Sequence, residues 1–411
     1  MIWRVATLSF LLTLSYLCFQ PVKMEDGKEE SMELGTQSQS QMDTSDSQNK
    51  GSNEVEEKNP SVEKSGEMKP DKTESDSGSK PTNNEKSANK TPEENMVEEK
   101  KSEKTVELKF PTTLEGFGYK FDEDGKLGDI ETGEPFVFKV RSHDDSYNQK
   151  RYEALGEVIT EYVYELLEKE ANLKRVHIPV DASEGEAQSF IFMTEDALTN
   201  PDKLLLLIHG SGVVRAGQWA RRLIINDNLK SGTQLPFIKR AVDSGYGVIV
   251  FNTNENRIRQ GDKFIPVRES STAVDHGLYV WEEFVSKSAA RNIAIVAHSY
   301  GGVVTVELAI EKEAEFKERV FAIALTDSVH SLSHQEVSSS VIKLFKRIAK
   351  NWVSSKEPLD TPVPSRHRYE CPQVSAGTNK HEETSWSSFE SIFEMLDKAY
   401  KEVTEIDKEE L

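Results

Sequence analysis

Cysteine is nearly absent. The 411 residues hold two, Cys18 and Cys371, which excludes a disulfide framework and any cysteine-built metal site. The zinc motif H-E-x-x-H is missing too: His381-Glu382-Glu383-Thr384-Ser385 begins like it but ends on serine. No P-loop and no dinucleotide fingerprint occurs, so neither a metal nor a cofactor is expected. Basic residues are in short supply, with 51 Lys and Arg against 71 Asp and Glu and a net charge of −20. So acidic a chain repels a phosphate backbone outside a local basic patch, and direct nucleic-acid binding is not expected. Aromatic residues vanish between positions 20 and 109. That stretch of Glu, Ser, Lys, Asn and Asp cannot bury enough apolar surface to offset its ordering entropy, and it reads as disordered. A long apolar run is lacking as well. The run Val5 to Phe19 follows a single charge, Arg4. It has the pattern of a secretory signal peptide and is short for a membrane span. No transmembrane span is expected in the mature chain.

These shifts divide the chain into a signal-like segment (1–20), a disordered acidic and polar region (21–105), a folded domain (106–400) and an acidic tail (401–411) ending Lys408-Glu409-Glu410-Leu411. The tail resembles the KDEL-type tetrapeptide read by the ER retrieval receptor. A signal-like start and a retrieval-like end support each other and favour the ER lumen. Cleavage would leave Cys371 without a partner, so missing disulfides do not argue against that compartment. The sequon Asn89-Lys90-Thr91 is usable only in a chain that enters the ER. The blander reading of 21–105 is a solvated tail with no specific task.

From Phe110 the composition becomes that of a folded domain. GFGYKF, then Asp122-Glu123-Asp124-Gly125, then KLGDI reads as a hairpin. Leu155, Val158, Ile159, Tyr162, Val163, Leu166 and Leu167 fall on one helical face. After them, short apolar strands alternate with helical stretches. The strands are 175–180, 189–194, 204–210, 247–252, 293–299, 320–327 and 373–378, the first two forming a hairpin. The helices are 217–228, 235–243, 272–288, 301–315 and 386–403. The later strands are apolar on both alternations, as strands buried on both sheet faces must be. The pattern predicts an α/β fold: an α/β-hydrolase-like three-layer sandwich with a mostly parallel sheet.

The chemistry centres on Val296-Ala297-His298-Ser299-Tyr300-Gly301-Gly302. A G-x-S-x-G elbow places its serine on a sharp strand-to-helix turn flanked by small residues. Here Ala297 replaces the first glycine, the strand NIAIV precedes and a helix opens at Gly301. Ser299 is the candidate nucleophile; the blander reading is a tight turn whose serine caps the helix. An oxyanion hole would take one N–H from Tyr300 and one from Ser211 or Gly212, in the loop His209-Gly210-Ser211-Gly212 about 90 residues upstream. The fold's chain order is serine, acid, histidine. Asp327 ends the strand VFAIALTD, and His381 follows the last strand. They are the candidate acid and base, with His330 and His334 as rival bases and Asp360 as a spare acid. Only two clear strands follow Ser299, where this fold commonly has three, so the acid sits one strand early. Residues 341–350 read as a basic amphipathic helix: a solvated face over the core, or a cap or acidic-partner site.

RYEALGEVITEYVYELLEKE, EDALTNPDKLLLLIHGSGVVRAGQWARRLIIN, VAHSYGG, ALTDSVH, NWVSSKEPLD and VSAGTNKHEETSW together resemble the Argonaute-binding "Arb-two" domain family, in its animal cotranscriptional regulator branch. The likeness covers about residues 106 to 396. It implies an α/β-hydrolase-like fold, a nucleophile position at Ser299, and an adaptor role toward Argonaute, chromatin or splicing proteins in RNA silencing and alternative splicing. Hydrolase activity is only presumed for the family. Relatives can carry a long basic insertion where this chain has a short loop, Asn256 to Ser271, with Arg257, Arg259, Lys263 and Arg268 as its bases. That departure and the signal-like start favour the ER lumen. The resemblance by itself implies the nucleus or cytoplasm.

Overall fold

A computed structural model describes residues 108–365 and 367–409, with only the backbone of 406–409. The signal-like segment, the region 21–105, Asn89, Glu410 and Leu411 lie outside the described residues, and Lys408 and Glu409 are seen only as the end of the last helix.

The domain opens on the hairpin β1 (Tyr119–Phe121) and β2 (Leu127–Asp129), which turns through Gly125 at φ +77. Helix α1 (Asp145–Lys169) follows. Asp144 caps it by accepting the N–H of Tyr147. Its buried face carries Leu155, Ile159, Val163 and Leu167. Then come β3 (Lys174–Ile178), β4 (Ser189–Met193), β5 (Lys203–Ile208), α2 (Leu235–Asp243) and β6 (Gly247–Val250). They are followed by β7 (Arg257–Gln260), β8 (Lys263–Pro266), α3 (Ala273–Val280), β9 (Asn292–His298), α4 (Gly301–Glu311), α5 (Glu313–Arg319) and β10 (Val320–Thr326). The chain closes with α6 (Ser339–Ile348), β11 (Ala349–Val353), β12 (Gln373–Ser375) and α7 (Phe389–Glu409).

Eight strands form one sheet in the order β12-β11-β10-β9-β5-β6-β4-β3. The pairings β5–β6, β5–β9, β9–β10, β10–β11 and β11–β12 are parallel, while β4 runs antiparallel to both β3 and β6. Period-two alternation sorts the core. Leu205 and Leu207 pack with α1, α2 and α7 on one face. Leu204, Leu206 and Ile208 pack with α3, α4, α5 and α6 on the other. The three-layer sandwich expected from the apolar runs is the observed architecture.

Two local expectations change. A third strand, β11, does follow Ser299. It begins at Ala349, so the basic helix stops at Ile348. Its sequence AKNWV lacks the continuous apolar run of a buried strand, yet Asn351 and Trp352 are both buried. The segment 257–266 is an exposed hairpin that turns at Gly261, φ +60, not a plain loop. The basic helix lays Val341, Leu344 and Phe345 into the core, as a solvated face over the core does.

Candidate active site

The carboxyl ends of three adjacent strands, β5, β9 and β10, meet at Ser299. The register pairs Ile208 with Ala297 and His298 with Thr326. β9 releases the chain at His298, and Ser299 adopts φ 52, a left-handed backbone that a non-glycine residue takes up only at a cost. Tight packing holds it there. Ser299 N–H donates to Thr326 O at 3.0 Å, and Ser299 O accepts the N–H of Val329 at 3.2 Å. The flanking glycines are demanded by space. A Cβ on Gly301 would lie 2.4 Å from Ile208 O and 2.9 Å from His209 O. One on Gly210 would lie 2.9 Å from Ser299 Cβ. The helix α4 then starts at Gly301.

The loop after β5 comes against this elbow. Asn254 clamps it, its amide donating to Gly210 O at 2.9 Å and to Val214 O at 3.0 Å. Gly212 has φ +109. Among the described residues, the N–H groups of Tyr300, Ser211 and Gly212 find no hydrogen-bond acceptor; Ser211 is exposed, and Gly212 and Tyr300 are half-buried.

Asp327 follows β10 directly, at φ 41. Its N–H donates to Trp352 O at 2.7 Å, its Oδ1 accepts Ser354 N–H at 3.0 Å, and its Oδ2 lies 2.8 Å from His381 Nδ1. Burial pushes the Asp327 carboxyl up. The hydrogen bonds from His381 and Ser354 outweigh it, and the group ends below the usual carboxylate range. His381 opens a short 3-10 turn after β12 and keeps its side chain 48% exposed. In a neutral imidazole, an acceptor at Nδ1 selects the Nδ1–H tautomer, which leaves the lone pair on Nε2. No hydrogen bond joins Ser299 Oγ to His381 among the described residues. Such bonds are often long before substrate arrives.

The rivals lie elsewhere. His330 is buried and bonds Ser328 Oγ at 2.7 Å; His334 bonds Ser331 Oγ at 2.8 Å. Asp360 is occupied by Trp352 Nε1 at 2.8 Å and Ser391 Oγ at 2.6 Å. No group of three or more His, Cys, Asp or Glu among the described residues is placed to hold a metal ion.

Sequence reasoning missed His298. Its ring lies 4.6 Å from that of His381, and its Nδ1 is 3.1 Å from Thr326 Oγ1, which contacts Ser385 Oγ at 2.8 Å. Burial drives its pKa down to about 3, and the facing His381 acts in the same direction. It is therefore a neutral wall for His381. Its place inside the AHSYG motif was the available signal. Asn254 had none.

Numbered along the chain from β3, the sheet runs 1-2-4-3-5-6-7-8 with the second strand reversed. The strained serine follows the fifth strand and the histidine follows the eighth. This is a protein of the α/β-hydrolase fold. The Arb2 domain family model matches residues 110–359. The cotranscriptional regulator ARB2A of Homo sapiens is 52% identical over 340 residues, covering 71% of this chain and 82% of that protein. The Mus musculus protein of the same name is 52% identical over 339 residues, covering 71% and 81%. Among solved structures, the histone deacetylase Clr3 aligns with 65% of this chain and 41% of that chain, at 16% identity and a TM-score of 0.41. The chain belongs to the Arb2 domain family. No helix among the described residues is long and apolar enough to cross a membrane.

Proposed function

We propose that the chain is a serine hydrolase acting on an ester, thioester or amide, with Ser299 as nucleophile, His381 as base and Asp327 as acid. The 2.8 Å Asp327–His381 contact beside a serine held at φ 52 carries this reading. Asp327 holds the imidazole in the tautomer whose Nε2 can accept the Ser299 proton, and it stabilises the imidazolium that results. The unpaired N–H groups of Tyr300 and of Ser211 or Gly212 would take the negative oxygen of the tetrahedral intermediate. A fluorophosphonate probe tests the proposal. Folded wild-type protein is expected to label and Ser299→Ala is not; an unlabelled wild type overturns it.

A second reading is favoured by the 52% identity to a protein named cotranscriptional regulator. On it, the domain is an adaptor that binds Argonaute, chromatin or splicing proteins. Ser299→Ala separates the two readings. An adaptor keeps its regulatory effect in that variant, and a hydrolase-dependent regulator loses it.

The compartment is part of the proposal. The apolar run after Arg4 and the sequence Lys408-Glu409-Glu410-Leu411 support ER entry and retrieval, while the names of the relatives support the nucleus or cytoplasm. A glycosidase-sensitive mobility shift, lost in Asn89→Gln, is expected for the luminal protein. An unshifted, nucleus-enriched chain overturns it.

A further inference from the structure

We propose that Ser328, His330 and Glu370 form a buried positioning relay that holds the Asp327 turn in register with Ser299. The functional meaning of the relay rests on the hydrolase reading above; its geometry does not.

The turn needs such a device. Asp327 sits at φ 41, a strained backbone that persists only where its surroundings over-determine it. Three contacts are made by the main chain of the turn. Asp327 N–H donates to Trp352 O at 2.7 Å, Ser328 N–H to Asn351 Oδ1 at 3.2 Å, and Val329 N–H to Ser299 O at 3.2 Å. The last ties the turn to the main chain of Ser299. The Ser328 side chain supplies a fourth. Its Oγ lies against the start of α4, so close that a Cβ on Gly302 would sit 1.8 Å from it. The same oxygen lies 2.7 Å from His330 Nδ1.

Behind Ser328 the relay is closed to solvent. The His330 side chain is 1% exposed and that of Glu370 is 6% exposed. Glu370 Oε1 accepts the N–H of Leu332 at 3.1 Å and the hydroxyl of Ser331 at 3.4 Å. Glu370 Oε2 is buried without a hydrogen bond among the described residues, and His330 Nε2 stands 3.3 Å away. An unpaired buried carboxylate oxygen is costly. Ser328 O–H donating to Nδ1, with Nε2–H on the Glu370 side, is one arrangement compatible with the 2.7 and 3.3 Å separations. Burial keeps His330 neutral, with its pKa lowered to about 4, so one of its two ring nitrogens donates and the other accepts. Cys371 Sγ lies 3.9 Å from Nε2 and closes the same side. The relay therefore anchors the acid-bearing turn to the loop before β12. His330 acts through Asp327 and does not touch the nucleophile.

The test uses the full chain labelled with 15N in its histidines. The imidazole 15N shifts of His381, assigned with His381→Gln, report its tautomer. Ser328→Ala and Glu370→Gln are expected to move His381 from the Nδ1–H form to a mixture with the Nε2–H form, because Asp327 is no longer held opposite it. Fluorophosphonate labelling of Ser299 should slow by on the order of 10²-fold, the effect of misplacing a reacting group by about 1 Å. Leu344→Ala, a change in the buried face of α6, provides the comparison: it should lower the unfolding midpoint and leave the tautomer alone. Wild-type tautomer and labelling rate in both relay variants overturn the proposal. If the wild type does not label at all, the hydrolase reading falls, and the tautomer of the relay variants still decides the relay.

Discussion

Ser299 combines an unfavourable backbone with tightly fitted neighbours. Its φ of 52 carries a cost of about 1–3 kcal/mol for a residue with a side chain. The glycines beside it are there because β5 passes so near. A methyl group on Gly301 would meet the main-chain oxygens of Ile208 and His209, which cannot swing aside as a side chain can. Gly301→Ala is expected to destabilise the domain by about 1–3 kcal/mol and to slow probe labelling of Ser299, since relief requires β5 and α4 to separate. Urea unfolding with labelling on the same sample checks both. An unchanged midpoint would mean that the elbow is looser than these distances imply. Such residues were legible in the sequence because the elbow motif is local. The occupied states of His330 and Asp360 were not, since each depends on a partner that sequence spacing does not reveal.

At the level of elements, β11 changes the reading most. A buried parallel strand is expected to be apolar throughout, and Ala349–Val353 contains a lysine and an asparagine. Both have uses that only neighbours explain. Lys350 lies over the Trp352 ring at 5.1 Å, and Asn351 Oδ1 receives the Ser328 N–H. Trp352 is fully buried and donates to Asp360 through Nε1. Trp352→Ala should cost about 3–5 kcal/mol. It should also weaken the Asp327–His381 contact, because the strand relaxing into the space of the lost ring shifts the residue-352 main-chain O that accepts the Asp327 N–H. Denaturant midpoints and the His381 tautomer give the two readouts. With β11 present, the sheet has three strands after Ser299. Asp327, the proposed acid, nevertheless follows β10, one strand earlier than is common in this fold.

At the scale of the molecule, four histidines among the described residues are buried and held neutral. Burial lowers His209 and His330 to about 4, and His276 and His298 to about 3. Their unfolded value is 6.5. As pH falls below that value, the unfolded chain takes up protons that the folded chain refuses, so stability drops. Above it, neither state binds them and stability is flat. Each histidine contributes a loss of about 1.4 kcal/mol per pH unit in that window. The melting temperature should therefore hold steady from about pH 8 to 7 and fall steeply between about pH 6 and 5, well above the ordinary carboxylate range. A profile flat down to about pH 5 would show that these imidazoles are not held neutral.

The sequence by itself determined the three-layer α/β architecture and the serine elbow. Both are written in short-range patterns: apolar runs that must be covered on two faces, and a strand, a turn of small residues and a helix in succession. Tertiary structure decided which groups meet. Asp327 and His381 lie 54 positions apart in sequence. They come within 2.8 Å only because β10, β11 and β12 pair in parallel and bring the ends of β10 and β12 to one edge. The same pairing gives Asn351 its partner at Ser328. Contacts between strand ends are set by the order in which strands pair, and no local spacing encodes that order.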